Sequence, residues 1–122
     1  MIRGGTASVY VTDMDRAVAF WTDSVGLKLR NRVGATWAEI DAGEGLIIGL
    51  HPAAPPDTPA AGTPGAINIE LRVTEPMETV IATLAARGVV INGPIKEYEA
   101  VRIASFSDPD GNAIILGQVL HS

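Results

Sequence analysis

Residues 10–29 read YVTDMDRAVAFWTDSVGLKL, and residues 72–91 read RVTEPMETVIATLAARGVVI. A shift of the chain that lays Val11 on Val73 keeps the same order of features in both halves. Each half has the end of an alternating strand, a threonine followed by an acidic residue, apolar residues at helical spacing, and a glycine. The chain is therefore predicted to contain one structural unit twice.

Strands are predicted on both sides of each of these helices. Before the helices, apolar and polar residues alternate over about 6–11 and again over about 67–73, as is typical of strands with one buried face. Thr12 and Thr74 are the expected helix N-caps. After the helices, further strands are predicted near 27–33, 36–41, 46–51, 89–96, 101–107 and 113–119. The sequence therefore predicts an α+β protein built from two βαβββ modules.

The two modules are predicted to form one domain. The first module covers residues 1–51, the second covers residues 66–122, and the connecting segment 52–65 is rich in proline. Proline-rich segments are extended, so neither a helix nor a strand is expected in this linker. Asp108-Pro109-Asp110-Gly111 predicts a tight turn, because proline presets the φ of its second position and glycine accepts a positive φ.

The composition excludes several classes of function. The chain has 122 residues, of which 47% are hydrophobic and 19% charged, so it can bury a core. Its net charge of −5 argues against nucleic acid and against an anionic membrane surface as partners. It has no cysteine, which excludes disulfides and cysteine-bound zinc. Without a signal peptide or a long apolar run, a cytoplasmic protein is expected.

Three motifs resemble one known superfamily. They are residues 10–29, the stretch WAEIDAGEGLIIGLHP at 37–52, and FSDPDGNAIILGQ at 106–118. In this order they resemble the vicinal oxygen chelate superfamily, which includes glyoxalase I, extradiol dioxygenases, fosfomycin-resistance enzymes and bleomycin-resistance proteins. The resemblance implies the glyoxalase/bleomycin-resistance/dioxygenase fold, a cupped mixed sheet that encloses a cavity and carries its helices outside. It also implies a homodimer, and leaves open whether the modules pair within one chain or across two.

The resemblance also locates the metal ligands of the superfamily's enzymes. They correspond here to Thr6, Gly49, Asn68 and Ile115. A divalent metal needs several anionic or imidazole donors, and glycine and isoleucine have no side-chain donor at all. Neither a metal nor another cofactor is therefore expected, and the chain resembles the metal-free, bleomycin-resistance-like branch.

Strand alternation predicts which side chains line the cavity. The candidate ligand-binding residues are Tyr10, Trp37, Glu39, Ile47, His51, Asn68, Glu70, Ser105 and Ile115. Several have a purely structural alternative: Trp37 as a packed sheet residue, His51 as a partner-bonded histidine, and Glu70 as the ion-pair partner of Arg72 or Arg102. Glu70 and His51 are also the candidates for a general base or for a shifted metal site. Trp21 is expected in the core, and His121 in solvent.

Three functions fit these residues. The first is a metal-free small-molecule-binding protein that sequesters an aromatic or cationic drug or metabolite, as in antibiotic resistance. The second is a metal-independent isomerase, lyase or hydrolase that uses Glu70 or His51 as general base. The third is a regulatory domain whose cup is filled by its own side chains. The sequence does not decide whether a reaction is catalysed, and it does not identify the ligand.

Overall fold

The first module forms a four-stranded sheet. The computed structural model describes residues 1–120, so His121 lies outside the described residues. The strands lie in the order β1-β4-β3-β2, with β1 parallel to β4 and the other pairs antiparallel. Their bounds are β1 Ala7–Val11, β2 Lys28–Val33, β3 Trp37–Gly43 and β4 Leu46–Pro52. This matches the predicted strands within a few residues.

The second module forms a five-stranded sheet with the same connectivity. Its main order is β5-β9-β8-β6, and β7 pairs with β8 beyond β6. The strand predicted over 89–96 is broken into β6 and β7 around Gly93. The strand bounds are β5 Glu70–Arg72, β6 Val90–Ile91, β7 Lys96–Glu97, β8 Val101–Ser107 and β9 Ala113–Val119. The prediction of an α+β fold with two βαβββ modules is confirmed.

One helix follows the first strand of each module. Helix α1 covers Met14–Ala19 and continues as a π-helical turn over Phe20–Ser24, and helix α2 covers Met77–Ala86. The N-cap of α1 is Asp13, whose carboxylate accepts the Arg16 backbone N–H at 3.0 Å, so the prediction of Thr12 was wrong by one position. Within the described residues, no helix is long and apolar enough to span a membrane.

Both modules share one hydrophobic core. In the first sheet the buried residues alternate along β1 and β3, as Val9 and Val11 do in β1, and they belong to the core that includes residues of α1. Trp21 is fully buried, and its ring centroid lies 6.2 Å from that of Phe106 on β8 of the second sheet. Phe20 lies 6.1 Å from the same ring. The π-helical turn therefore packs the first module against the second, as expected for a core Trp21.

The turn between β8 and β9 anchors the end of β1. Asn112 is 3% exposed, its side-chain amide donates to the Tyr10 carbonyl at 2.8 Å, and its amide oxygen accepts the Gly62 N–H at 2.9 Å. Asp108, 5% exposed, accepts from the Asn112 side chain and from the backbone N–H groups of Asp110 and Asn112. Each of these buried polar groups has a hydrogen-bond partner. The network therefore joins three segments of the chain: the turn between β8 and β9, the end of β1, and the segment that contains Gly62.

The network makes stability depend on pH. Burial raises the pKa of the Asp108 carboxyl above its ordinary value of 3.8, although hydrogen bonds from Asn112 and Asp110 oppose the shift. The folded state therefore holds this proton more tightly, and the carboxyl's contribution to stability falls as pH rises through its folded pKa. We expect the free energy of unfolding of the wild type, relative to Asp108→Asn, to fall as the pH rises from about 4, near the ordinary pKa, through the raised pKa of the folded state.

This prediction is checked by urea unfolding of both proteins across that range, with Asp57→Asn in the exposed linker as the matched control. The control should follow the wild type at every pH. If the free energy of unfolding of the wild type, relative to Asp108→Asn, instead increased as the pH rose, the hydrogen bonds to Asp108 would outweigh its burial. The expected direction of the pKa shift would then be wrong.

Candidate ligand-binding face

The side of the first sheet that faces away from α1 carries a group of aromatic side chains. Trp37, Glu39 and Asp41 alternate with the buried Ala38 and Ile40, so they point to this open face. The β1–β4 register places Ser8 beside Gly49 and Tyr10 beside His51 on the same side. We call the surface formed by Tyr10, Trp37, Glu39, Gly49 and His51 the aromatic face.

Gly49 makes room for the Trp37 ring. A Cβ atom on Gly49 would lie 2.3 Å from Cη2 of Trp37 and 2.9 Å from the Ser8 hydroxyl. Gly49 is buried, and its backbone does not need the conformational freedom of glycine. The glycine is therefore required for space, since ring atoms of the indole occupy the position where another side chain would begin.

A hydrogen bond fixes the indole in this position. The Trp37 Nε1–H donates to Oε2 of Glu39 at 2.9 Å. The other oxygen, Oε1, lies 3.7 Å from Nε of Arg30 on the neighbouring strand β2. Glu39 is thus held between two donors. Its carboxylate positions the tryptophan and is partly neutralised by the arginine.

His51 completes the aromatic face at the end of β4. Its ring centroid lies 5.5 Å from Tyr10 and 6.2 Å from Trp37, with edge-to-face geometry in both pairs. Its Nδ1 lies 2.8 Å from the Pro52 carbonyl, which can only accept a hydrogen bond. Nδ1 therefore carries the proton, and Nε2 is left as an acceptor in the neutral ring.

The open face of the second sheet is more polar. Glu70 on β5 lies opposite Ile115 on β9, and its carboxyl carbon lies 3.3 Å from where Gly117 would place a Cβ. Ser105 on β8 also lies opposite Ile115, and its hydroxyl accepts from the Asn92 side chain at 3.1 Å. Serine, isoleucine and glutamate thus form a row across three adjacent strands.

The candidate residues fall into two groups on two sheets. Tyr10, Trp37, Glu39, Ile47 and His51 lie on the first sheet, and Glu70, Ser105 and Ile115 lie on the second. Asn68 is exposed and precedes β5. Among residues 1–120, the one side-chain hydrogen bond of His51 is to the Pro52 carbonyl, and none joins it to Glu70. The alternative pairing of Glu70 with Arg102 is wrong, because Arg102 forms ion pairs with Glu78 and Glu97.

The superfamily's metal positions do not fit a metal in this chain. Gly49 lies under the Trp37 ring, and Ile115 presents an alkyl chain between Glu70 and Ser105. Thr6 and Asn68 precede their strands and carry neutral oxygens. In the part of the chain that the structure describes, no three His, Cys, Asp or Glu side chains are grouped to hold a metal ion. We therefore derive no chemistry through a metal.

The aromatic face is not enclosed within one chain. A groove of about 350 Å³ lies between β5 and the start of α2 and is lined by Arg72, Pro76 and Gln118 among others. A groove of about 280 Å³ lies between the β3–β4 hairpin and β5, and Glu70 lines it. Neither groove is lined by Tyr10, Trp37 or His51.

The sequence reasoning missed Arg30. Strict alternation from Leu29 assigns Arg30 and Asn31 to opposite faces, but the β2–β3 register shifts between Leu29 and Asn31. A bulge of this kind places two residues opposite one on the partner strand, here Glu39. The sequence has no glycine at the bulge that could have signalled it.

Comparisons with known proteins agree with this architecture. The family model described as Glyoxalase/Bleomycin resistance protein/Dioxygenase superfamily matches residues 5–116, which include most of both modules. The chain belongs to this superfamily. A comparison with curated proteins found no match. Membership in the superfamily confirms the resemblance read from the three sequence motifs.

Solved structures of the superfamily match over nearly the full length. TnmS3, an antibiotic binding protein from Streptomyces sp. CB03234, is 30% identical, with a TM-score of 0.76, and the match covers 98% of this chain and 97% of TnmS3. A glyoxalase/bleomycin resistance protein from the same strain is 31% identical, with a TM-score of 0.76, and covers 95% and 100% of the two chains. A superfamily member from Sphaerobacter thermophilus DSM 20745 has a TM-score of 0.77 at 22% identity, over 97% and 98% of the chains, and supports the fold alone.

Proposed function

We propose that the protein is a metal-free small-molecule-binding protein that sequesters an aromatic drug or metabolite on the aromatic face. The observation that carries this proposal is the arrangement of Tyr10, Trp37 and His51 around Gly49, with the indole held by Glu39. Preorganised aromatic rings bind planar ligands with little loss of side-chain entropy. The likeness to TnmS3, an antibiotic binding protein, supports an antibiotic as the ligand.

The proposal includes a homodimer that closes the site. The helix-covered sides of both sheets contribute to one core, as the Trp21–Phe106 contact illustrates, so the two open faces of one chain point apart. In the dimer, the open face of the second sheet of one copy would cover the aromatic face of the other copy. Glu70, Ser105 and Ile115 of the first copy would then lie over the aromatic face of the second. A cup built in this way encloses a ligand on both sides, as small-molecule sites generally do.

His51 supports a second candidate, a metal-independent isomerase or lyase. Its Nδ1 is held by the Pro52 carbonyl, so Nε2 is free to take a proton from a ligand on the aromatic face. Mass spectrometry of the ligand after incubation separates the two functions, because sequestration returns the compound unchanged. A product that disappears in His51→Gln would establish the enzyme.

Replacing Trp37 with alanine tests the binding proposal. Tryptophan fluorescence first identifies ligands from a panel of polycyclic aromatic antibiotics, and calorimetry then compares the variants. Loss of the stacking surface is expected to weaken binding about tenfold or more. Tyr98→Ala is the matched control, because Tyr98 is 56% exposed and lies outside the aromatic face. Equal affinity of wild type and Trp37→Ala, or no saturable ligand in the panel, would refute the proposal.

A further inference from the structure

Arg30 lies at the bulge in β2, beside the aromatic face. On either side of the bulge, Leu29 pairs with Ile40 on the core side and Asn31 pairs with Glu39 on the open side. Arg30 is the extra residue between them, and its Nε lies 3.7 Å from the Glu39 carboxylate. Bulges are frequent next to binding sites. Here the bulged strand places a cation beside the aromatic face.

The Arg30 guanidinium keeps most of its hydrogen-bonding capacity. Its separation from Glu39 is longer than a hydrogen bond, and 57% of its side chain is exposed. Arg32 on the same strand differs, because it pairs with Asp15 and donates to the Gly34 carbonyl. Arg30 can therefore direct its guanidinium N–H groups at a ligand oxygen, and a guanidinium binds a carboxylate in a planar, two-point manner.

The acidic residues Glu39 and Asp41, on the open face of the first sheet, already have partners within the chain. Oε2 of Glu39 accepts the Trp37 indole N–H, and its Oε1 faces Arg30. Farther along the sheet, Asp41 lies opposite Lys28, and one of its oxygens accepts the Gly43 backbone N–H. The chain has a net charge of −5, but positive and negative side chains are balanced on this face. Overall charge is therefore a poor guide to the ligand.

We propose that the ligand is an aromatic acid, whose ring stacks on Trp37 and whose anionic oxygen binds the Arg30 guanidinium. This inference rests on the proposed binding function and adds the charge of the ligand to it. Arg30 is then a specificity-determining residue that selects acidic over neutral and cationic aromatic molecules. Glu39 is a positioning residue that holds the indole and the guanidinium on either side of its carboxylate.

Three probes with one ring system test the charge preference. They are 2-naphthoate, 2-naphthalenemethanol and 2-naphthylmethylammonium, titrated into the full-length protein and followed by calorimetry. The wild type should bind the carboxylate about tenfold more tightly than the alcohol, and the ammonium most weakly. Arg30→Gln should remove this preference by lowering the affinity for the carboxylate to about that for the alcohol, whereas Arg30→Lys should keep part of it. Arg32→Gln is the matched control and should bind all three probes as the wild type does.

The outcomes separate this inference from the function on which it rests. If all three probes bind equally, or the ammonium binds best, the aromatic face stands and the role of Arg30 is overturned. A carboxylate preference that survives in Arg30→Gln also overturns it. If none of the three naphthalenes binds at all, the proposed function fails together with the inference. Added salt gives a further readout, because the preference of the wild type should shrink as ionic strength rises.

Discussion

Trp21→Ala is expected to lower the free energy of unfolding by about 3–5 kcal/mol, the usual cost of truncating a buried tryptophan. Trp21 is fully buried and packs edge-to-face on Phe20 and Phe106, which belong to different modules. Its removal leaves a cavity where the two modules meet, and the surrounding sheets cannot close it without moving towards each other and losing their other contacts. Most small domains have only about 5–15 kcal/mol of stability to lose, so the variant should be marginal.

Urea unfolding followed by circular dichroism and by Trp37 fluorescence measures this effect. Trp37→Ala, followed by circular dichroism, is the matched control, because it makes the same chemical change at a half-buried site on the open face and should cost much less. If Trp21→Ala does not fold, Trp21→Phe gives the same information. Phenylalanine leaves a smaller cavity and also removes the buried Nε1–H, which has no hydrogen-bond partner among residues 1–120.

The expected transition is single and shared by both modules. The aromatic contacts of the π-helical turn bridge the modules, so one cannot lose its core while the other keeps it. A cost below about 1 kcal/mol for Trp21→Ala would contradict a central role for this side chain. Separate transitions for the two probes would contradict a shared core. The predicted domain boundaries at residues 51 and 66 would then describe two independently folding units.

The fold could be predicted because the repeat and the strand alternation reflect the same physical constraint. Each strand buries one face against a helix, and alternation records that burial directly, as in β1 and β3. The limits of the elements were harder to predict. The predicted N-cap Thr74 lies outside α2, whose N-cap position is Pro76. Helical spacing of apolar residues does not distinguish the α-helical turns of Met14–Ala19 from the π-helical turn of Phe20–Ser24.

The site was predictable to the extent that it follows alternation. Parity, together with the ligand positions that the family resemblance implies, predicted that Tyr10 and His51 line the cavity, and parity predicted that Trp37 and Glu39 share a face. The structure brings all four together. Arg30 was missed although alternation from Leu29 places it on the open face, because the contact that singles it out, with Glu39 on β3, lies between two strands. Gly49 was considered only as a lost metal ligand. Its function as the space for an indole depends on a contact between two strands, which alternation within one strand cannot indicate.

Gly49→Val is expected to abolish ligand binding while the protein stays folded. The first added carbon would lie 2.3 Å from Cη2 of Trp37, far inside contact distance, so the indole must leave its position across β4. The hydrogen bond from Trp37 to Glu39 is then lost, and so is the stacking platform. Valine suits the backbone of a central strand, which offsets part of the cost in stability. Gly49→Ala should give the same change in weaker form.

Calorimetry compares the affinities of the variant and the wild type for a ligand that the wild type binds. Fluorescence spectra of the same proteins report on Trp37, whose emission should shift to the red as the indole enters water. Gly117→Ala on the second sheet is the matched control, because the atom nearest to its added Cβ is the end of the flexible Glu70 side chain, at 3.3 Å. That side chain can rotate away, so binding should change far less. If Gly49→Val kept wild-type affinity with a displaced indole, the ligand would not stack on Trp37. Equal losses of affinity in Gly49→Val and Gly117→Ala would instead mean that binding depends on both sheets as a whole. The aromatic face would then not be the specific binding site of the ligand.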